Sequence, residues 1–212
     1  LFRSIINYDW WDYMKRVSLK PLEVSDAGEV YELCRGTFRE EYHITEERIL
    51  ESLFEDPDFS AEESKKIVDE KNGRMIGFIG VKVSHNEQLY PASAWISIFA
   101  VKKEEQGKGY GTMVLNQVCQ SLHKNGINKI YVGQDFNNFF SGIPDPDEGK
   151  EIFFKKNGFT LNRDRHFDLE ADITDNRLID SFDTSSFDKE FTVASYKDNK
   201  KELLGFLERE FP

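Results

Sequence analysis

The chain has 212 residues, of which 14% are aromatic and 18 are Phe, enough for one substantial domain with a real core, or one domain plus a piece of another. Its net charge of −11 argues against nucleic-acid partners, because phosphate backbones are held by clustered Lys and Arg. No apolar run reaches the roughly 18 residues of a membrane span, and the two cysteines, Cys34 and Cys119, each fall inside an apolar helical pattern, so buried free thiols are expected rather than a disulfide framework.

Residues 1–16 form an aromatic-rich arm with Tyr8, Trp10, Trp11 and Tyr13, suited to pack on the domain or on a partner, a homodimer included. The stretch Leu1 to Ile6 is too short, and too soon interrupted by Asp9, Trp10 and Trp11, to read as a signal peptide. A cytoplasmic location is therefore the default expectation. Val17 to Leu22 reads as a strand stopped by Pro21. Ser25 is the expected cap of a helix running to about Arg39, with Val30, Leu33, Cys34 and Phe38 at helical spacing. Thr45 is the next N-cap candidate, flanked by Ile44 and Ile49 at the spacing of a hydrophobic staple, and its helix ends near Phe54. Ile67-Val68 is a short strand. Asn72-Gly73 reads as a type I′ hairpin turn into a strand over Met75 to Val83.

Ala94 to Val101 is an apolar run with the character of a buried strand. It leads into Gln106-Gly107-Lys108-Gly109-Tyr110-Gly111-Thr112. An amphipathic helix follows, Met113 to Lys124, with Val114, Val118, Cys119 and Leu122 on one face and Asn125-Gly126 at its end. Lys129 to Gly133 is another strand. Gln134 to Gly149 is a long irregular segment, of the kind that often carries function. Glu151 to Asn157 is helical, capped by Gly158, and His166 to Ile173 alternates as a strand. Residues 174–188 are polar and linker-like. Residues 189–212 repeat the strand-then-helix order of Val17 to Phe38: Phe191 to Tyr196, then Asn199 to Glu210 with Leu203, Leu204 and Leu207 inward. That repetition is read as the opening of a second, similar domain, against the plainer reading of a strand and helix that finish the first.

The glycine stretch carries the chemistry. Three glycines at alternate positions between a strand and a helix let the backbone come close to a ligand. The helix start behind them offers N–H groups without partners and the positive end of the peptide dipoles. Together these make an anion site, most simply for a phosphate or pyrophosphate. The spacing Gly107, Gly109, Gly111 is not that of a dinucleotide-binding loop. A Gly-Lys-Ser/Thr sequence is absent, which excludes a Walker loop. No His/Cys/Asp cluster has metal-ligand spacing, so no metal is expected.

The order of elements, with Gln106-Gly107-Lys108-Gly109-Tyr110-Gly111 and then Phe153-Phe154-Lys155-Lys156-Asn157-Gly158-Phe159 about 45 residues later, resembles the GCN5-related N-acetyltransferase (GNAT) superfamily over roughly residues 17 to 173. The family's phosphate loop is Arg/Gln-x-x-Gly-x-Gly/Ala, and its later motif is an aromatic pair followed by x-Lys-x-Gly-Phe. Phe140-Ser141-Gly142-Ile143-Pro144-Asp145 looks like an insert associated with bacterial members that carry two such domains in tandem, which supports the reading of the tail.

The resemblance implies an α/β (α+β) fold. Its sheet is twisted, mixed and mostly antiparallel, with helices on both faces and a splayed V between the strands before and after the phosphate-loop helix. It implies acetyl-CoA as co-substrate, held in that V by the backbone of Phe99, Ala100 and Val101. The loop Gln106, Gly107, Lys108, Gly109, Tyr110, Gly111 and Thr112 would hold the pyrophosphate, with Asn138 (or Asn137) and Phe154 nearby. It implies acetyl transfer to an amine, here expected to be a small molecule. The departures are two. The aromatic that often serves as general acid is Phe154, and the strand position of a common Glu base holds Trp95. The replacement candidates for catalysis are Asp135 and Glu41, with Glu40 and His43 beside the latter. The losses leave a second expectation open, a non-catalytic acyl-CoA-binding or regulatory module.

Overall fold

The computed structural model describes residues 16–86, 88–143, 148–161 and 200–210. The chain divides into two compact units, Leu1–Arg165 and His166–Pro212. Among the described residues, the first holds a five-stranded sheet in the order β1-β2-β3-β4-β5. Its strands are β1 (Val17–Pro21), β2 (Lys65–Asp69), β3 (Met75–Val83), β4 (Ser93–Val101) and β5 (Lys129–Val132). The first four pair antiparallel, and β4 pairs parallel with β5. The result is the mixed, mostly antiparallel open sheet expected from the sequence.

Helices cover both faces, because both faces of the central strands are apolar. On one face α1 (Ala27–Thr37) and α2 (Glu46–Ile49, continuing as a π turn over Leu50–Phe54) bury Leu22, Val30, Leu33, Ile49 and Leu53 against Phe78, Ile98 and Ala100. On the other, α3 (Tyr110–Lys124) and α4 (Glu148–Lys156) pack Tyr110, Val114, Leu115, Val118 and Phe154 on Ile79, Ala94 and Ile96. Phe78, Ile79, Val114 and Val118 are fully buried. Each such side chain contributes about 1.5–3 kcal/mol through loss of contact with water.

Local expectations are met unevenly. Thr45 caps α2, its hydroxyl accepting from Arg48 N–H at 3.1 Å. Gly126, at φ +86°, ends α3, with Ile127 N–H donating to the Leu122 carbonyl at 3.0 Å. Ser25, by contrast, lies inside a 3-10 turn, Val24–Asp26. The cap is a reciprocal pair made by Glu23 and Asp26, in which Glu23 N–H donates to Asp26 Oδ2 at 2.9 Å. Asn72-Gly73 does not form a type I′ turn. The strands end at Asp69 and resume at Met75. Of the two residues only Gly73 has a positive φ, +69°, whereas type I′ needs it at both. Gly73 and Asn72 N–H both close back on the Asp69 carbonyl instead, at 2.8 and 3.2 Å.

In the second unit the described element is α5 (Lys200–Glu210). Leu203, Leu204 and Leu207, expected to face inward, are 39%, 48% and 40% exposed. The aromatic arm, the expected strands His166 to Ile173 and Phe191 to Tyr196, and the linker between them lie outside the described residues. Among the described residues, no helix is long and apolar enough to cross a membrane.

Candidate active site

The site begins with a fault in β4. Along β3 and β4 the partners run Gly77↔Val101, Phe78↔Ala100, Ile79↔Phe99 and Gly80↔Ile98, and then Val81 pairs with Ile96, so Ser97 is a bulge residue. A bulge adds one residue to one strand and shifts its two-residue alternation. The side chains record that shift. Ala94 and Ile96 lie on the α3 face, but beyond the bulge that face takes Phe99 and Val101, while Ile98 and Ala100 turn to α1 and α2.

The backbone follows the same shift. Lys102 N–H donates to the Ile76 carbonyl at 2.9 Å, so by alternation Ala100 and Ile98 direct their backbone groups at β3, and Phe99 and Val101 direct theirs away. β5 pairs with β4 as far as Ile96↔Val132, and Gly133 N–H still reaches the Ile96 carbonyl at 2.9 Å. Past that point the two strands part. The Phe99 and Val101 edge of β4 therefore opens into a V, available to a ligand that pairs like a strand. Of the three residues expected to do this, Ala100 is turned to β3.

The glycine loop sits at the end of that edge. Gln106 Nε2 donates to the Val101 carbonyl at 2.9 Å, bracing loop against strand. Gly107 and Gly109 have φ of +75° and +85°, a left-handed conformation costly to any residue with a Cβ. At Gly111 an added Cβ would come within ordinary van der Waals contact, 3.4 Å, of the rings of Phe99 and Phe153, so glycine is not required there by the packing. Met113 N–H takes the first intrahelical bond, to the Gly109 carbonyl at 3.0 Å. Tyr110, Gly111 and Thr112, ahead of it, occupy the first turn, whose N–H groups have no acceptor within α3. Tyr110 is only 1% exposed, its side chain packed in the core beneath the loop. Lys108 is held by Glu105, Nζ to Oε2 at 3.0 Å.

A cleft of about 320 Å³ opens on the α1/α2 side of the sheet, where β4 and β5 separate, and Trp95 of β4, Phe136 and Asn137 wall it. Its floor is a buried ion network. Lys82 Nζ contacts Asp135 Oδ1, Asp56 Oδ2 at 3.0 Å and the Asn137 carbonyl at 3.2 Å. Ser97, the bulge residue, donates its hydroxyl to Asp135 Oδ2 at 2.9 Å. Lys82 is 1% exposed and Asp135 is 4% exposed. One lysine thus ties together β3, the segment after α2 and the segment after β5, while Ser97 joins the bulge to the same carboxylate.

A family model described as "Acetyltransferase (GNAT) family" matches residues 27–141, more than half of the chain. The chain belongs to the GNAT acetyltransferase family. No curated protein matches it. Among solved structures, the GNAT fold here is similar to a GCN5-related glucosamine N-acetyltransferase region of a fungal multi-domain GH3 β-N-acetylglucosaminidase. That match has a TM-score of 0.61 and 21% identity, and covers 70% of this chain and 17% of the fungal one. The ribosomal-protein-S18-alanine N-acetyltransferase of Escherichia coli gives 0.53 and 16%, covering 68% and 77%. An aminoglycoside acetyltransferase from an uncultured soil metagenomic sample, solved with trehalose, gives 0.53 and 16%, covering 74% and 98%. At these identities the likeness is one of fold.

Of the residues expected at the site, the structure gathers Phe99, Val101, Gln106 and Gly107 to Thr112 along one edge, and Asp135 with Trp95 at the cleft. Asn138 lies in the loop below, its Nδ2 donating to the Asp135 carbonyl at 2.8 Å and its own carbonyl accepting from Arg48 at 3.4 Å. Phe154 is 6% exposed, set edge-on to Phe153 and Phe159 with ring centres 5.2 and 5.4 Å apart, so it stands behind Phe99 as core. Glu41 lies in an exposed 3-10 turn, Glu40–Tyr42, beside Arg39 at 3.3 Å, and does not line the cleft. Sequence reading missed Lys82, Asp56 and Ser97. Lys82 had left a signal: it is the one charge inside the apolar run Met75 to Val83.

Proposed function

We propose that this GNAT domain is an acetyl-CoA-dependent N-acetyltransferase that moves an acetyl group to the amine of a small molecule. The observation that carries the reading is the Phe99–Val101 edge, open beside the glycine loop. A strand edge with no paired strand beyond Ile96 among the described residues suits the amide-bearing pantetheine arm, and the α3 start suits the pyrophosphate. Acetyl-CoA, when bound, supplies an acetyl thioester: a C–N bond to the neutral amine forms as the C–S bond breaks, and the proton the amine loses ends on the departing thiolate, giving the amide and free CoA thiol. Phe99, Val101 and the loop bind and orient one partner; Trp95 and Asp135 line the place of the other, so that proximity supplies much of the rate. Asp135 has Lys82 on one oxygen and Ser97 on the other. We therefore assign it a positioning role rather than that of a base.

Trp95 and Phe154 favour a second reading, an acyl-CoA-binding module without catalysis. Calorimetric titration with acetyl-CoA tests both readings together: the wild type should bind at or below millimolar concentration, and Gly109→Glu should lose at least about tenfold, since it strains the loop and adds an anion at the helix start. No binding by wild type, or equal binding by the variant, contradicts the site. Amine-dependent release of the CoA thiol then separates the enzyme from the module.

A further inference from the structure

The cleft has a charge that transfer to a generic amine does not require. Glu51, Glu55, Asp56, Asp58 and Asp135 line it against a single lysine, Lys82. That lysine is already engaged by Asp56 and Asp135. Glu51 and Glu55 are exposed, and no cation pairs with either among the described residues. Asp58 accepts from His85 Nδ1 at 2.8 Å.

The aromatic wall is a separate observation that points the same way. Phe136 is 76% exposed, an uncommon position for a large apolar ring, and is held edge-on by Tyr90 at 5.6 Å. Tyr90 in turn packs on Trp95 at 5.1 Å, and Trp95 stacks on Tyr131 at 6.0 Å. Aromatic faces beside carboxylates with no cation are the surroundings an ammonium group prefers to water. The volume, about 320 Å³, sits at the small end for ligand pockets and suits a slender molecule.

We infer that the acceptor is a slender amine carrying at least one further positive charge, of the di- or polyamine class. Glu51, Glu55 and the Phe136 ring hold the charged portion at the mouth, and a second amine reaches inward towards Trp95 and Asp135. This rests on the proposed acetyl transfer and adds the charge of the substrate to it.

Spermidine is the probe, titrated calorimetrically into the full chain without CoA, with n-butylamine as the singly charged control. Spermidine should bind at least about tenfold more tightly. The rim variant Glu51→Gln/Glu55→Gln should weaken spermidine about tenfold, because each exposed ion pair is worth up to roughly fivefold. Raising the salt from about 50 to 300 mM should weaken it too, as surface charges become screened. Both glutamates are exposed, so the variant's unfolding transition should match wild type. Spermidine binding no tighter than butylamine, or unchanged in the variant, overturns the inference. Because this reads amine binding alone, its failure differs from that of acetyl transfer, which would appear as an absence of acetyl-CoA binding or of CoA release with any amine.

Discussion

Lys82→Met is the most informative single perturbation of this fold. The ammonium is 1% exposed and contacts two carboxylates and a carbonyl. Its loss leaves Asp135, 4% exposed, and Asp56, 9% exposed, facing each other with no cation between them. Removing one partner from a buried ion pair typically costs about 3–5 kcal/mol, because the charge left behind has lost both water and its counter-ion. Asp135→Asn in the same background removes one of the two stranded charges while leaving an acceptor for the Ser97 hydroxyl. The double variant should therefore recover about 2 kcal/mol of the loss, a coupling in the range seen for contacting residues. Urea unfolding followed by circular dichroism gives both numbers. A single variant within about 1 kcal/mol of wild type, or strictly additive effects, would refute the claim that Lys82 is the tie between three segments.

Three further outcomes follow from other parts of the molecule. Gly133→Ala should cost about 2–4 kcal/mol in the same unfolding assay, since φ is +64° and the new Cβ would sit 2.4 Å from the Phe140 carbonyl oxygen and 2.8 Å from Gly142 N; a loss under about 0.5 kcal/mol contradicts this. The Asp69 carboxyl is held below its ordinary value, chiefly by its hydrogen bond from the Arg16 side chain and then by Lys71 N–H. Its contribution to stability is full above the unfolded value near pH 4 and is lost as pH falls through the lower folded value, so Asp69→Asn should flatten the acid limb of a stability–pH curve. Burial pushes the Cys34 thiol up to about 12 and raises Cys119 as well. Native protein at pH 8 should therefore resist iodoacetamide, and rapid modification of Cys34 detected by mass spectrometry would contradict that.

The glycine loop was legible because its constraint is local. A left-handed backbone at Gly107 and Gly109 leaves little choice of residue at those two positions, so the pattern shows in the sequence. The strands were legible for the same reason, being short apolar runs between turns. The bulge at Ser97 was not. Trp95 to Val101 is apolar at almost every position because both faces of β4 are covered, so no alternation exists in which a one-residue shift could be seen. Without that shift, Ala100 could not be told from Phe99 and Val101. The ion network was hidden for a different reason. Lys82, Asp56 and Asp135 are far apart in the chain and meet only once β3, α2 and the exit of β5 are assembled. Glu41 drew notice by its place between two helices, yet the sheet's splay, not that loop, decides where the cleft opens.

The central claim is that the Phe99–Val101 edge and the start of α3 together hold acetyl-CoA. Backbone amide chemical shifts, followed by NMR during titration with acetyl-CoA, test it most directly. The account predicts saturable shifts concentrated at Phe99, Val101, Gly107, Gly109, Tyr110, Gly111 and Thr112, with Ala100, bonded into β3, moving less than its two neighbours. Shifts absent at millimolar acetyl-CoA, or clustered away from the loop and that edge, would contradict it.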